Sequence, residues 1–148
     1  MANLARARVD FALVGGLAVI LNGYPRSTLD ADILVDDARE NLERMLACLS
    51  EWGEGWATEL TSADFPAMEG SVRVMEEFDL DIFTRMRGHT WADFRPRLRY
   101  LESDGVRIPY IGPADLISLK ENSWREKDQL DVAAMKEILA RESGSERS

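Results

Sequence analysis

The sequence predicts an α+β fold, with a mixed, partly antiparallel sheet covered by helices on one face and short helices at the C-terminus. Three observations predict it. Strand-like and helix-like patterns alternate through the first third of the chain. Two later segments read as antiparallel strand pairs joined by short polar turns. The 148 residues, 45% of them hydrophobic, suffice for one domain with a core of its own. That domain is expected to span residues 1–141, with a polar tail over 142–148 that frays.

The elements follow in order. Phe11 to Val14 is a short apolar run stopped by Gly15-Gly16, a buried strand. Leu17 to Asn22 reads as a short helix ended by Gly23 and Pro25. Leu29 to Val35 alternates, with Leu29, Ala31, Ile33 and Val35 on one face and Asp30, Asp32 and Leu34 on the other. Asp36-Asp37 opens a helix whose apolar stripe is Ala38, Leu42, Met45, Leu46 and Leu49, ended by Gly53 and Gly55. Trp56 to Leu60 is a candidate strand and Thr61 to Gly70 a loop. Ser71 to Met75 and Phe78 to Phe83 pair across Glu76-Glu77. Trp91 to Arg97 is helical. Leu98 to Leu101 and Val106 to Ile111 flank the turn Ser103-Asp104-Gly105. Pro113 starts a helix to about Asn122, and a last helix runs from about Lys127 to Ala140 with Leu130, Ala133, Ile138 and Leu139 as its apolar residues.

Composition excludes several chemistries. One cysteine, Cys48, forbids an internal disulfide, and one histidine, His89, leaves too few ligands for a closed Cys/His zinc site. A formal charge of −9 opposes charge-driven binding to nucleic acid and suits cation binding where carboxylates cluster. The longest apolar run, Phe11 to Leu21, is too short to span a membrane and is broken by two glycines. No secretory signal is visible, so a cytoplasmic location is expected.

Three features carry chemistry. Gly15-Gly16 lies between a strand and a helix, where a backbone without Cβ atoms admits a phosphate close to free N–H groups. It fits neither a P-loop nor a Rossmann fingerprint, and taken alone it reads first as an ordinary tight turn. Asp30 and Asp32 point the same way from one strand, and two such carboxylates can share divalent cations. Asp79 and Asp81 repeat the arrangement on a second strand, although aspartate is disfavoured in strands. If the strands are neighbours, three carboxylates form a cage of the kind that holds two metals for phosphoryl chemistry. The bland alternative is a sheet face bearing acids for solubility. His89 reads as a surface residue, Cys48 as a core residue, and Trp52, Trp56, Trp91 and Trp124 as packing residues. Lys127, Asp128 and Asp131 read equally well as a solvated helix face with an i,i+4 pair.

Val14-Gly15-Gly16, then thirteen residues, then Asp30-Ala31-Asp32-Ile33 resembles the signature of the nucleotidyltransferase superfamily, the DNA polymerase β-like fold. Gly23-Tyr24-Pro25-Arg26-Ser27-Thr28-Leu29-Asp30 is similar to the Arg-x-Thr-x-Asp-x-Asp segment of small bacterial members. Leu80-Asp81-Ile82-Phe83-Thr84 resembles their third-carboxylate strand, and Ala114 to Lys120 followed by Arg125 to Asp131 resembles their C-terminal helices. The resemblance covers roughly residues 9–140. It implies a nucleotidyltransferase sheet and transfer of a nucleoside monophosphate from an NTP to a hydroxyl, with Mg²⁺ or Mn²⁺. Asp30, Asp32 and Asp81 are then metal ligands and catalytic, with Asp79 a rival to Asp81. Gly15, Gly16, Arg26, Thr28, Lys120 and Lys127 are then nucleotide-binding. Here Glu121 to Trp124 precedes Arg125 and Glu126 intervenes, a departure from the family's basic cluster. Implied acceptors are a partner protein such as a HEPN-type toxin, a tRNA end or a small molecule, within a toxin–antitoxin setting. A non-catalytic nucleotide- or partner-binding module on the same fold is the alternative.

Overall fold

The computed structural model describes residues 1–28, 30–51, 62–65, 70–75 and 79–147. Leu29, Phe78, the glycine stop at 53 and 55 and the strand expected over 56–60 lie outside them.

The chain opens with a five-residue helix, α1 (Ala2–Arg6), which the sequence reading did not foresee. A helix that short is marginal by itself; Leu4, fully buried in the core, anchors it. Strand β1 (Phe11–Val14) follows and leads directly into α2 (Gly15–Leu21), so the glycine pair forms the first turn of the helix rather than a loop before it. Next come β2 (Asp30–Val35) and α3 (Arg39–Leu49). The stripe Leu42, Met45, Leu46 and Leu49 is buried as expected, but Ala38 is exposed and precedes the helix. Asn41 takes its place inside, donating to the carbonyls of Asp10 and Asp36 and accepting from the Asp10 N–H.

Strands β3 (Ser71–Met75) and β4 (Asp79–Phe83) pair antiparallel. Helix α4 (Trp91–Phe94) opens with a reciprocal Thr90–Asp93 cap and runs into a single 3₁₀ turn over Arg95–Arg97. Strands β5 (Arg99–Ser103) and β6 (Val106–Tyr110) form the expected hairpin. Its two turn residues, Asp104 and Gly105, both have positive φ (50° and 79°), as a type I′ turn requires. Helix α5 (Pro113–Lys120) begins on its proline, and α6 (Glu126–Arg147) continues past Ala140 into the polar tail. Glu142 ties that extension to the sheet through a two-pronged pair with Arg99, at 2.6 and 2.8 Å.

The six described strands order as β3-β4-β2-β1-β6-β5, with β2·β4 and β1·β6 parallel and the rest antiparallel. Helices cover both faces, not one. Phe11 and Leu13 enter a core with Leu4 of α1 and the α3 stripe, while Ala12 and Val14 enter a second core with Leu116, Leu119 and Met135 of α5 and α6. A central strand buried on both sides shows no alternation, which is why Phe-Ala-Leu-Val reads as a plain apolar run. The face of α6 also differs from the expected one. Leu130 is 54% exposed and Ala133 is exposed, whereas Asp131 and Met135 are fully buried.

Candidate active site

The acids occupy the face of β2 and β4 opposite Ala31, Ile33, Leu80 and Ile82, all of which are in the first core. Parallel pairing sets Asp30 beside Asp79 and Asp32 beside Asp81. With neighbouring strands about 4.8 Å apart, the four aspartates make a two-by-two block. Asp32 and Asp81 lie within hydrogen-bonding reach of each other. Burial, then the Asp81 charge, and more weakly Asp30, push the Asp32 carboxyl up to about 6, with Lys120 opposing them.

The glycine pair is explained by what surrounds it. Val14, the last residue of β1, is the ladder partner of Asp32. Gly15 turns the chain there with a φ of +63°, and a Cβ on it would stand 2.2 Å from Asp32 Oδ2. A Cβ on Gly16 would meet Arg26 Nη2 and Thr28 Oγ1 at 2.9 Å. Both positions therefore exclude a side chain because site residues fill the space.

Arg73 supplies the cation of this region. It is the ladder partner of Asp81 on β3, and its guanidinium grips both Asp81 oxygens at 2.8 and 2.9 Å. It also reaches Asp79 at 3.3 Å and Asp30 at 3.8 Å. These three acids raise the affinity of Arg73 for its proton, chiefly through the Asp81 hydrogen bonds. Among the described residues no three His, Cys, Asp or Glu side chains are arranged to hold a metal ion. The donor set nonetheless fits a hard cation: it is all carboxylate oxygen, and it already seats a positive charge.

Across from the acids lies the junction of α5 and α6. Lys120 pairs with Asp128 at 3.1 Å and with Asp131 at 3.0 Å, and Arg26 pairs with Asp131 at 2.9 Å. Asp128 also accepts from the Ser123 hydroxyl at 2.7 Å, and these partners hold its carboxyl below the usual range against the cost of burial. Asp128 and Asp131 are thus no ordinary solvated helix face; Asp131 is the buried centre of a two-cation knot. Lys127 is exposed at the rim.

Between acids and bases runs a cleft of about 420 Å³, within the range of small-molecule sites. Gly15, Gly16, Arg26, Thr28, Asp30, Asp32, Asp81, Lys120 and Lys127 all line it. Asp79 does not. Arg73 and Arg125 line it too, and neither was singled out as a site residue from the sequence. Counting back from the expected turn at Glu76-Glu77 sets residue 73 opposite residue 80, one place from its observed partner Asp81, so the sequence register alone does not reveal Arg73. Of the residues read as bland, His89 is exposed and Cys48 half-buried beside the first core. Trp91 is buried, but Trp124 is 86% exposed and packs against nothing that would make it a core residue.

A mixed sheet with paired aspartates on adjacent strands and a glycine turn at their edge defines a protein of the nucleotidyltransferase class. The chain belongs to the family described as nucleotidyltransferase of unknown function (DUF6036), whose model matches residues 2–141. The fold is similar to that of the lincosamide antibiotic adenylyltransferase LnuA, solved with lincomycin bound (TM-score 0.57, 19% identity, 86% of each chain covered). It is also similar to an antigenic nucleotidyltransferase-like protein from Paracoccidioides brasiliensis (TM-score 0.52, 17% identity, 90% of this chain and 70% of that one). No curated protein sequence matches the chain significantly. Among the described residues no helix is long and apolar enough to cross a membrane.

Proposed function

We propose that the chain transfers a nucleoside monophosphate from an NTP to a hydroxyl acceptor and releases pyrophosphate. The observation that carries this reading is Asp32 and Asp81 abreast on parallel strands beside Gly15, facing Lys120 across one cleft. The acceptor oxygen attacks the α-phosphorus, a P–O bond forms, and the bond to the β-phosphate oxygen breaks. The hydroxyl proton passes to a carboxylate of the acid block. Such transfers depend mainly on positioning and on offsetting phosphate charge.

The chain's own groups divide that work. Lys120, Arg125 and Lys127 draw the triphosphate to the α5–α6 side and offset its charge. Gly15 and Gly16 let it pass close to the backbone. Asp81 orients the acceptor hydroxyl. Asp30, Asp32 and Asp81 would hold Mg²⁺ or Mn²⁺, which when bound polarises the phosphate and lowers the pKa of the hydroxyl. The acceptor class is a small hydroxylated molecule, a partner protein or an RNA end; the LnuA likeness makes small molecules the first to screen.

The test is a screen with α-³²P-labelled ATP, CTP, GTP and UTP against cell extract and small hydroxylated compounds, with Mg²⁺ or Mn²⁺. Labelled acceptor and pyrophosphate are expected, both lost in Asp30→Ala and Asp32→Ala. Undiminished transfer in those two variants overturns the assignment of the site. NTP binding without any pyrophosphate release across the screen favours the non-catalytic module instead.

A further inference from the structure

We propose that Arg73 occupies the place of a divalent cation in the acid block, so that metal and guanidinium compete for the oxygens of Asp81 and Asp30. The inference rests on the nucleotidyltransferase reading only in expecting a divalent ion there.

Four observations support it. Arg73 engages both oxygens of Asp81, which leaves that carboxylate no free bidentate face. The same guanidinium reaches Asp30 and Asp79, so one group bridges acids on both strands, as a shared ion does. Register holds it there, since Arg73 is directly opposite Asp81 on the hairpin ladder. The side chain is 48% exposed and comes from the sheet's edge strand, so it can swing into solvent without opening the core. The Asp81 side chain is only 12% exposed, but its partner arginine is half-exposed, so a divalent ion can displace the guanidinium by turning it out to solvent. Without any cation, four aspartates on one face would repel; the arginine lets the block form in the metal-free protein. Metal entry then frees a planar fork suited to phosphate.

Mn²⁺ binding to the full chain, followed by electron paramagnetic resonance, tests this directly. Arg73→Gln is expected to bind Mn²⁺ at least tenfold more tightly than the wild type. It should also melt lower in EDTA and gain more from Mg²⁺ on melting. Removing a positive charge alone would raise affinity somewhat, so a second measurement uses the unaltered protein. The ¹⁵N-labelled Arg73 Nε–H resonance should shift, and exchange faster with water, as Mg²⁺ is added. Equal or weaker Mn²⁺ binding by Arg73→Gln overturns the proposal, and so does an Nε–H signal unmoved at saturating Mg²⁺. Neither readout depends on nucleotide transfer, so absence of transfer activity with competition intact would sink only the functional reading.

Discussion

The two walls of the cleft hold similar charges and use them in opposite ways. On the α5–α6 wall, Asp131 has its carboxylate almost wholly buried between Arg26 and Lys120, themselves only 13% and 14% exposed. Charges there are matched and shielded from water. On the strand wall, Asp30, Asp79 and Asp81 share one half-exposed arginine, and the neighbouring Asp32 has a raised pKa. Matched buried charge holds α6 against α5; unmatched, accessible negative charge is what a cation can still use. One wall is built for stability, the other keeps its electrostatics incomplete at a cost in stability, which is a common trait of functional sites.

Breaking the buried knot should have the largest effect. Asp131→Ala strands two largely buried cations, and loss of one member of a buried ionic group costs roughly 3–5 kcal/mol. For a chain of this size that lowers Tm by about 10 °C or more, read by circular dichroism. Asp81→Ala removes an acid that is itself largely buried, but the Arg73 it leaves behind is half-exposed and can turn to solvent, so a clearly smaller loss of Tm is expected. If the two variants melt together, the contrast between the walls is wrong.

Gly15→Ala sharpens the comparison from the glycine side. The new methyl must displace the Asp32 carboxylate, and the residue must keep a φ of +63°. The strain costs on the order of 1–3 kcal/mol, while nucleotide transfer, if the site is assigned correctly, falls far more than stability does. The alanine should leave the Lys120–Asp131 pair untouched. Transfer at the wild-type rate in Gly15→Ala would show that the Asp32 position is not critical.

What the sequence disclosed follows the same division. Period-two acids in two strands, a glycine pair and an Asp-Gly turn are local signals, and each lies where its spacing put it. The adjacency of β2 and β4 is not local: β4 is some fifty residues on, and only the resemblance to a known signature brought the two together. Asp131 was hidden for the same reason. On a helix its neighbours in sequence are Gln129, Leu130 and Val132, and nothing in that stretch announces Arg26, 105 residues away. The exposed Leu130 and buried Asp131 invert the usual pattern because an ion pair, not an apolar stripe, sets the facing of that turn. Burial on both faces of the sheet escaped notice since Phe11 to Val14 has no polar residue to mark one side.

The smallest effect concerns Asp32 alone and its sign is fixed by the proton balance. Its folded pKa of about 6 lies above the ordinary value of 3.8, so the folded state holds this proton more tightly than the unfolded chain. The stabilising contribution of that proton is complete below 3.8 and is lost as pH rises through about 6. Asp32→Asn removes the titration. In EDTA the variant should melt a few degrees above wild type at pH 7.5, the carboxyl being partly solvated and its cost correspondingly discounted. That advantage should shrink steadily as the pH is lowered to 4. Saturating Mg²⁺ at pH 7.5 should reverse the order, because the wild type gains a ligand's worth of binding energy that the amide supplies poorly. An advantage independent of pH would mean that Asp32 titrates alike in the folded and unfolded chain, and one that grew as the pH fell would mean that its neighbours stabilise the carboxylate, as on the helix wall.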